Sequence, residues 1–269
     1  MDGYVLADTA TKLSAARGKV VICGSHGGVY AGLLAASAGV RGILLNDAGV
    51  GLNNAGIAGL GVCQTHGMAA AAVGHDSCRI GDAADCGRRG VVSAANAIAA
   101  GLGIVAGIGA VEAAGLLAGA PEPTGTPVVD EEHRIEHDLG GWRLTIIDSA
   151  SLVDFARDRG ALVVTASHGG LVGGNPATAG RADAALFAYN DAGIGCDRAG
   201  VSRLPVLQER GIAAVTVDCR SAEIGVGQST YDRGVISAAN QAARTLGAKD
   251  GMPLKALIAA IAARPPVRG

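Results

Sequence analysis

Two short stretches carry side chains able to do acid–base chemistry, and they are copies of one another. The first is Ser25-His26-Gly27-Gly28 and the second Ser167-His168-Gly169-Gly170. Each ends an apolar run, Val20-Val21-Ile22 in one case and Leu162-Val163-Val164 in the other. Histidine changes charge near neutral pH, so it can take or give a proton or hold a metal. The glycine pair lets the backbone turn sharply and offers N–H groups to an anion or a developing oxyanion. A single such histidine would read as a loop brace; the repetition with the same small neighbours is what points to chemistry.

A second motif pair ends the next apolar run in each copy: Asn46-Asp47-Ala48-Gly49 and Asn190-Asp191-Ala192-Gly193. Asp47 and Asp191 are expected to orient His26 and His168, or to join them around a metal ion. Asn46 and Asn190 offer amides to a substrate. The competing reading is turn formation and helix capping, which Asn and Asp perform routinely. A third pair runs from Arg89 to Asn96 and from Arg233 to Asn240. Arg89 and Arg233, near an expected helix start, are placed to hold a substrate carboxylate. Ser25, Ser167, Gly27, Gly28, Gly169 and Gly170 complete the candidate substrate-binding set. The copies also differ. Cys219 stands where the first copy has His75. It would be a nucleophile if a histidine reached it and an inert thiol otherwise.

The elements that must position these residues follow from hydrophobic patterning. Continuous apolar runs at 19–24, 42–46 and 68–73, and at 142–147, 162–166, 184–189 and 212–217, read as strands buried on both faces. Helices are expected at 29–38, 54–66, 89–100 and 104–118, then at 200–210, 233–246 and 254–262, with shorter ones at 9–17 and 149–159. Strands alternating with helices imply an α/β fold with a parallel sheet. From the Asn-Asp motif onward the copies are 144 positions apart, Asn46 to Asn190 and Asn96 to Asn240. The expected architecture is therefore two tandem repeats of a layered parallel β/α unit with an approximate internal twofold. Residues 1–120 form the first, 121–141 a linker and hairpin, and 142–269 the second. In open sheets of this kind sites form at the carboxyl ends of strands, where the Ser-His-Gly-Gly and Asn-Asp-Ala-Gly motifs fall.

The linker contains His133-Arg134-Ile135-Glu136-His137, a literal match to a zinc-binding H-x-x-E-H pattern. That pattern needs a helix. The charges here alternate along the chain as on a strand, and Asp138-Leu139-Gly140-Gly141 reads as a hairpin turn.

Bulk properties bound the function. The chain has 269 residues, 49% of them apolar and 17% charged, so a sizeable core is expected. A net charge of −2 gives no electrostatic reason to expect nucleic acid or an anionic membrane as partner. Residues 91–111 are uncharged and long enough for a membrane span. They are rich in Ala and Gly, however, and their counterpart carries Arg244, Lys249 and Asp250, so buried helices are expected. Six cysteines without a CxxC pair suggest a reducing, cytoplasmic setting. Met1-Asp2-Gly3-Tyr4 lacks the pattern of a signal peptide. No nucleotide-binding glycine loop is present, so no cofactor is indicated, and a divalent metal is left open.

The expected function is hydrolysis of an amide-like C–N bond in a small polar metabolite. His168 or His26 would be the general base, aspartates would orient them, and the glycine amides would hold the oxyanion. An isomerase or lyase using the same groups, or a non-catalytic ligand-binding protein with duplicated lobes, fits the same residues. Homo-oligomer formation is expected through the apolar helices at 104–118 and 254–262.

Overall fold

A computed structural model describes residues 3–265; the reading of Met1 and Asp2 lies outside them. In the first half, β1 (Tyr4–Ala7), β2 (Val20–His26), β3 (Gly42–Asn46) and β4 (Ala69–Val73) lie side by side in parallel. A fifth strand, β5 (Val92–Ala95), closes the sheet antiparallel to β4. The crossovers are a 3-10 turn at Ala10–Lys12, α1 (Val29–Ala38) and α2 (Gly59–Thr65). α3 (Ala83–Arg89), α4 (Ala97–Gly101) and α5 (Ala110–Leu117) follow β4.

Both faces of the sheet are covered, which is why its strands read as unbroken apolar runs. Val21, Cys23, Ile43 and Leu45 pack with residues of α1 and α2 on one face. Val20, Ile22 and Leu44 alternate with them and pack with Ala110, Ala113, Ala114 and Leu117 of α5 on the other. This is an αβα sandwich whose parallel crossovers all step the same way.

The second half repeats the arrangement. Its strands are β7 (Trp142–Ile147), β8 (Leu162–His168), β9 (Leu186–Asn190), β10 (Ala213–Val217) and the antiparallel β11 (Ile236–Ala239). An extra strand, β6 (Arg134–Leu139), pairs antiparallel with β7 and makes this sheet six-stranded. α6 (Arg203–Glu209), α7 (Gly227–Arg233), α8 (Gln241–Thr245) and α9 (Leu254–Ala262) complete it. The β6–β7 turn is Gly140-Gly141 at φ +68° and +99°, a two-residue connection that glycine takes without strain. His133, Glu136 and His137 therefore lie on an extended hairpin arm rather than a helix, and the zinc-motif reading fails for that reason.

The helices expected at 89–100 and 233–246 do not form. Each is a helix end, a short strand and a new helix. Gly90 and Gly234 close α3 and α7, and β-branched Val91-Val92 and Val235-Ile236 then favour strand. Asn96 and Asn240 start the next helices, their side chains accepting from the amides of Ala99 and Ala243. The stretches 9–17 and 149–159 hold single 3-10 turns, and α2 begins only at Gly59. The counterpart of α1 is also lost. Residues 171–179 form two 3-10 turns, with Gly173 and Gly174 at φ +60° and +64° and Pro176 behind them.

The halves meet at a seam of buried apolar residues, Ala48, Ile80, Ala192, Ala199 and Ile224. Backbone hydrogen bonds cross it reciprocally, from the Leu52 amide to the Cys219 carbonyl and from the Cys196 amide to the His75 carbonyl, both 2.8 Å. Arg79 and Arg89 reach Asp197 across the same seam. Among the described residues no helix is long and apolar enough to cross a membrane. The buried residues of α5 and α9 pack against their own sheets, while Val111 and Leu116 of α5 are exposed.

Candidate functional site

The register of β2 against β3 slips between Ile22 and His26, and that of β8 against β9 between Val164 and His168. The slips bring His26 level with Asn46 and His168 level with Asn190. The next two amides are then consumed locally. Gly27 donates to the Asn46 carbonyl and Gly169 to the Asn190 carbonyl, each at 2.8 Å. Gly28 donates to His26 Nδ1 at 3.1 Å and Gly170 to His168 Nδ1 at 3.2 Å. A Cβ on Gly28 would stand 2.7 Å from His26 Nδ1, so only glycine fits there. The glycine amides are thus not an oxyanion hole, contrary to the sequence-based expectation, because all four are already bonded.

Their real effect is on the histidines. An Nδ1 that accepts a hydrogen bond carries no proton, so the neutral ring is protonated at Nε2. Among the described residues neither Nε2 has a partner, and no buried side-chain nitrogen or oxygen lacks one. Both Nε2–H groups are therefore open to the space the two rings line. Burial holds His26 down to about 4. Burial holds His168 well below the ordinary range too, helped by the charge of Arg203 and of His26 itself. At neutral pH both rings are neutral hydrogen-bond donors. The expected general-base role does not suit this tautomer, since the free nitrogen already bears the proton.

That space is a cavity of about 680 Å³ between the halves. Its size and lining suit a small ligand. Val29, Leu33 and Leu34 of α1 and Val153 and Val172 of the second half form apolar walls. Ser25 and Ser167 line it as well, their hydroxyls accepting from the amides of Ala10 and Ala150 at 2.9 Å.

Glu132 and Tyr30 line the cavity without belonging to any repeated motif. Glu132 arrives from the unrepeated linker and is half-buried, with Ser151 Oγ 3.3 Å from its Oε2. Burial and the nearby Asp148 charge raise its carboxyl. Tyr30, on the first turn of α1, is raised by burial and by Glu132. The linker is pinned beside them by His133, whose Nδ1 is 2.7 Å from Asp148 Oδ2. Sequence reasoning missed Glu132 because nothing in the first copy corresponds to it.

The Asn-Asp-Ala-Gly motifs build the seam instead of the site. Asp47 Oδ1 accepts from the amides of Gly49 and His75 and from His75 Nδ1 at 2.8 Å. Asp191 Oδ1 accepts from the amides of Gly193 and Cys219. Asn46 and Asn190 are fully buried and accept from Ala48 and Ala192. Neither aspartate contacts His26 or His168. These side chains hold turns in which four successive residues, Ala48 to Gly51 and Ala192 to Gly195, have positive φ. For Val50 and Ile194 that conformation costs on the order of 1–2 kcal/mol each. The turns meet at Gly49 and Gly193, where a Cβ on Gly49 would lie 2.9 Å from the Gly193 Cα.

The remaining candidates also lie elsewhere. Cys219 is 4% exposed, its Sγ faces Gly49, and burial with the charges of Asp191 and Asp218 pushes its thiol up to about 12. It is neither a thiolate nor in the cavity. Asp191, Asp218 and Cys219 do bring ligand atoms within 4.8 Å of one another. Arg89 is tied to Asp85 and Asp197, and Arg233 is exposed at the end of α7. Neither faces the cavity, so neither is placed to hold a substrate carboxylate there.

Comparison of the chain with protein-family models, with curated proteins and with solved structures finds no match.

Proposed function

We propose that the cavity is an active site in which two neutral imidazoles polarise one substrate oxygen while Glu132 moves a proton. The observation that supports this most directly is the pair of Nε2–H groups from opposite halves, each with Nδ1 closed by a glycine amide. Fixed, neutral N–H donors suit an oxygen that gains negative charge during reaction, and they need no reorganisation as it does. A carboxyl raised toward neutrality suits a general base.

With water as the proton source, the outcome is hydrolysis of an amide-like C–N bond. Glu132 takes a proton from water and the hydroxide adds to the carbonyl carbon. The imidazoles hold the oxyanion, and the proton on Glu132 passes to the leaving nitrogen as the C–N bond breaks. A second reading is abstraction of a carbon-bound proton, giving an enolate that the same donors hold. The phenol of Tyr30, which lines the same cavity as Glu132, favours it by offering a second proton carrier.

The test is to screen small amides for amine release and small carbonyl compounds for deuterium exchange in heavy water. The His26→Ala/His168→Ala double variant is the control. Turnover by the wild type, lost in a folded double variant, supports the reading. Binding without turnover of either class identifies a ligand-binding protein instead.

A further inference from the structure

Arg203 opens α6 and is only 5% exposed, yet its partners among the described residues are all uncharged. Nε donates to the Gly170 carbonyl at 2.9 Å, and Nη1 to the carbonyls of Thr178 and Ala179. The guanidinium carbon lies 5.0 Å from the centre of the Tyr189 ring. Nη2 has no hydrogen bond among these residues, and no side-chain nitrogen there is both buried and unpartnered. Arg203 and Tyr189 both line the cavity that holds the two histidines.

A guanidinium does not shed its charge in a protein. A buried charge is ordinarily paired, because desolvating it alone is costly. Three carbonyls and a ring face supply partial compensation, and they explain how the segment that replaces the lost helix is held. They leave the formal charge unmatched and one amino group open. The first half has nothing equivalent. The corresponding residue is Gly59, where a Cβ would fall 2.4 Å from the Gly28 carbonyl. The two imidazole donors are thus repeated, while the buried cation sits on one side only. Such a site would accept a ligand in one direction.

We propose that Arg203 receives a carboxylate of the ligand through Nη2. The substrate class is then a small carboxylate that also bears a carbonyl or amide oxygen, such as an oxo acid or an N-acyl amino acid. The second oxygen rests on the function proposed above; the carboxylate does not.

The experiment is calorimetric titration of the full chain with matched pairs: 4-methyl-2-oxopentanoate and its carboxamide, and N-acetyl-leucine and N-acetyl-leucinamide. In each pair the acid should bind at least about tenfold more tightly. That preference should vanish in Arg203→Gln and survive in part in Arg203→Lys. Equal or tighter binding of the neutral amides, no binding of either member, or an unchanged preference in folded Arg203→Gln would overturn the proposal. If Arg203→Gln does not fold, the wild-type comparison of acid with amide decides alone. Acid-selective binding without turnover would sink the catalytic reading and leave this one standing.

Discussion

His26 and His168 face one cavity from opposite halves of the chain, each with Nδ1 closed by the amide of the glycine two residues on. The backbone, not a carboxylate, sets their tautomer. The relationship converts two residues that look like bases into a pair of neutral donors, and it separates this site from a histidine–aspartate dyad.

Glutamine in place of histidine tests the donor role. A side-chain amide can still offer an N–H, whereas alanine cannot. His168→Ala should lower turnover about 10²- to 10³-fold, the usual loss for a fixed oxyanion donor. His168→Gln should recover a substantial part of that loss. Equal damage from both substitutions in steady-state kinetics would mean that the ring acts as a base.

Glu132→Gln removes the proposed base without changing its shape. Turnover should fall about 10²- to 10⁴-fold with the circular dichroism spectrum unchanged. In the wild type, activity should decline as pH falls through the raised carboxyl of Glu132. An acidic limb at the ordinary carboxylate value, or a variant with full activity, would remove Glu132 from the mechanism.

Burying a neutral His26 makes stability depend on pH in a defined direction. The folded ring titrates at about 4 and the unfolded one near 6.5. Its contribution is therefore complete above 6.5, shrinks as pH falls through that value, and is gone below about 4. The loss amounts to about 3 kcal/mol. Urea unfolding between pH 7 and 4.5 should show a shallower loss of stability for His26→Gln than for the wild type.

Asp47 and Cys219 belong to the seam, so their substitutions should separate stability from activity. Asp47→Ala leaves the amides of Gly49 and His75 unpaired and should cost about 2–4 kcal/mol in chemical denaturation. Cys219→Ala should leave turnover unchanged, since a thiol pushed up to about 12 carries almost no thiolate at neutral pH. Loss of activity in a fully folded Cys219→Ala protein would restore the thiol to the chemistry.

Much of the scaffold was readable from residue pattern. β3, β7, α1 and α9 have the bounds that apolar runs and helical spacing suggest. The two histidines at strand ends, and a cavity shared by the two halves, follow from the repeat and from where parallel sheets place their sites. The helix expected over 89–100 failed because small residues such as Ser93, Ala94 and Ala95 carry no strong period. Pairing with β4 then decided the matter. Roles were harder to read than positions. Asp47 ends the strand next to that of His26 and is expected from the sequence to orient it, but the fold gives it His75, 28 residues away along the chain. Glu132 and Arg203 lie outside every repeated motif: Glu132 reaches the cavity on the unrepeated linker, and Arg203 from the start of α6, beside the two 3-10 turns that stand in place of a helix.

Nitrogen-15 NMR of ring-labelled protein observes directly where the imidazole protons of His26 and His168 sit. Both His26 and His168 should show Nε2 protonated and Nδ1 unprotonated from pH 8 down to pH 5.5, with no titration in that interval. Protonation at Nδ1, or titration of either ring near 6.5, would show that the two rings are not a pair of fixed neutral donors.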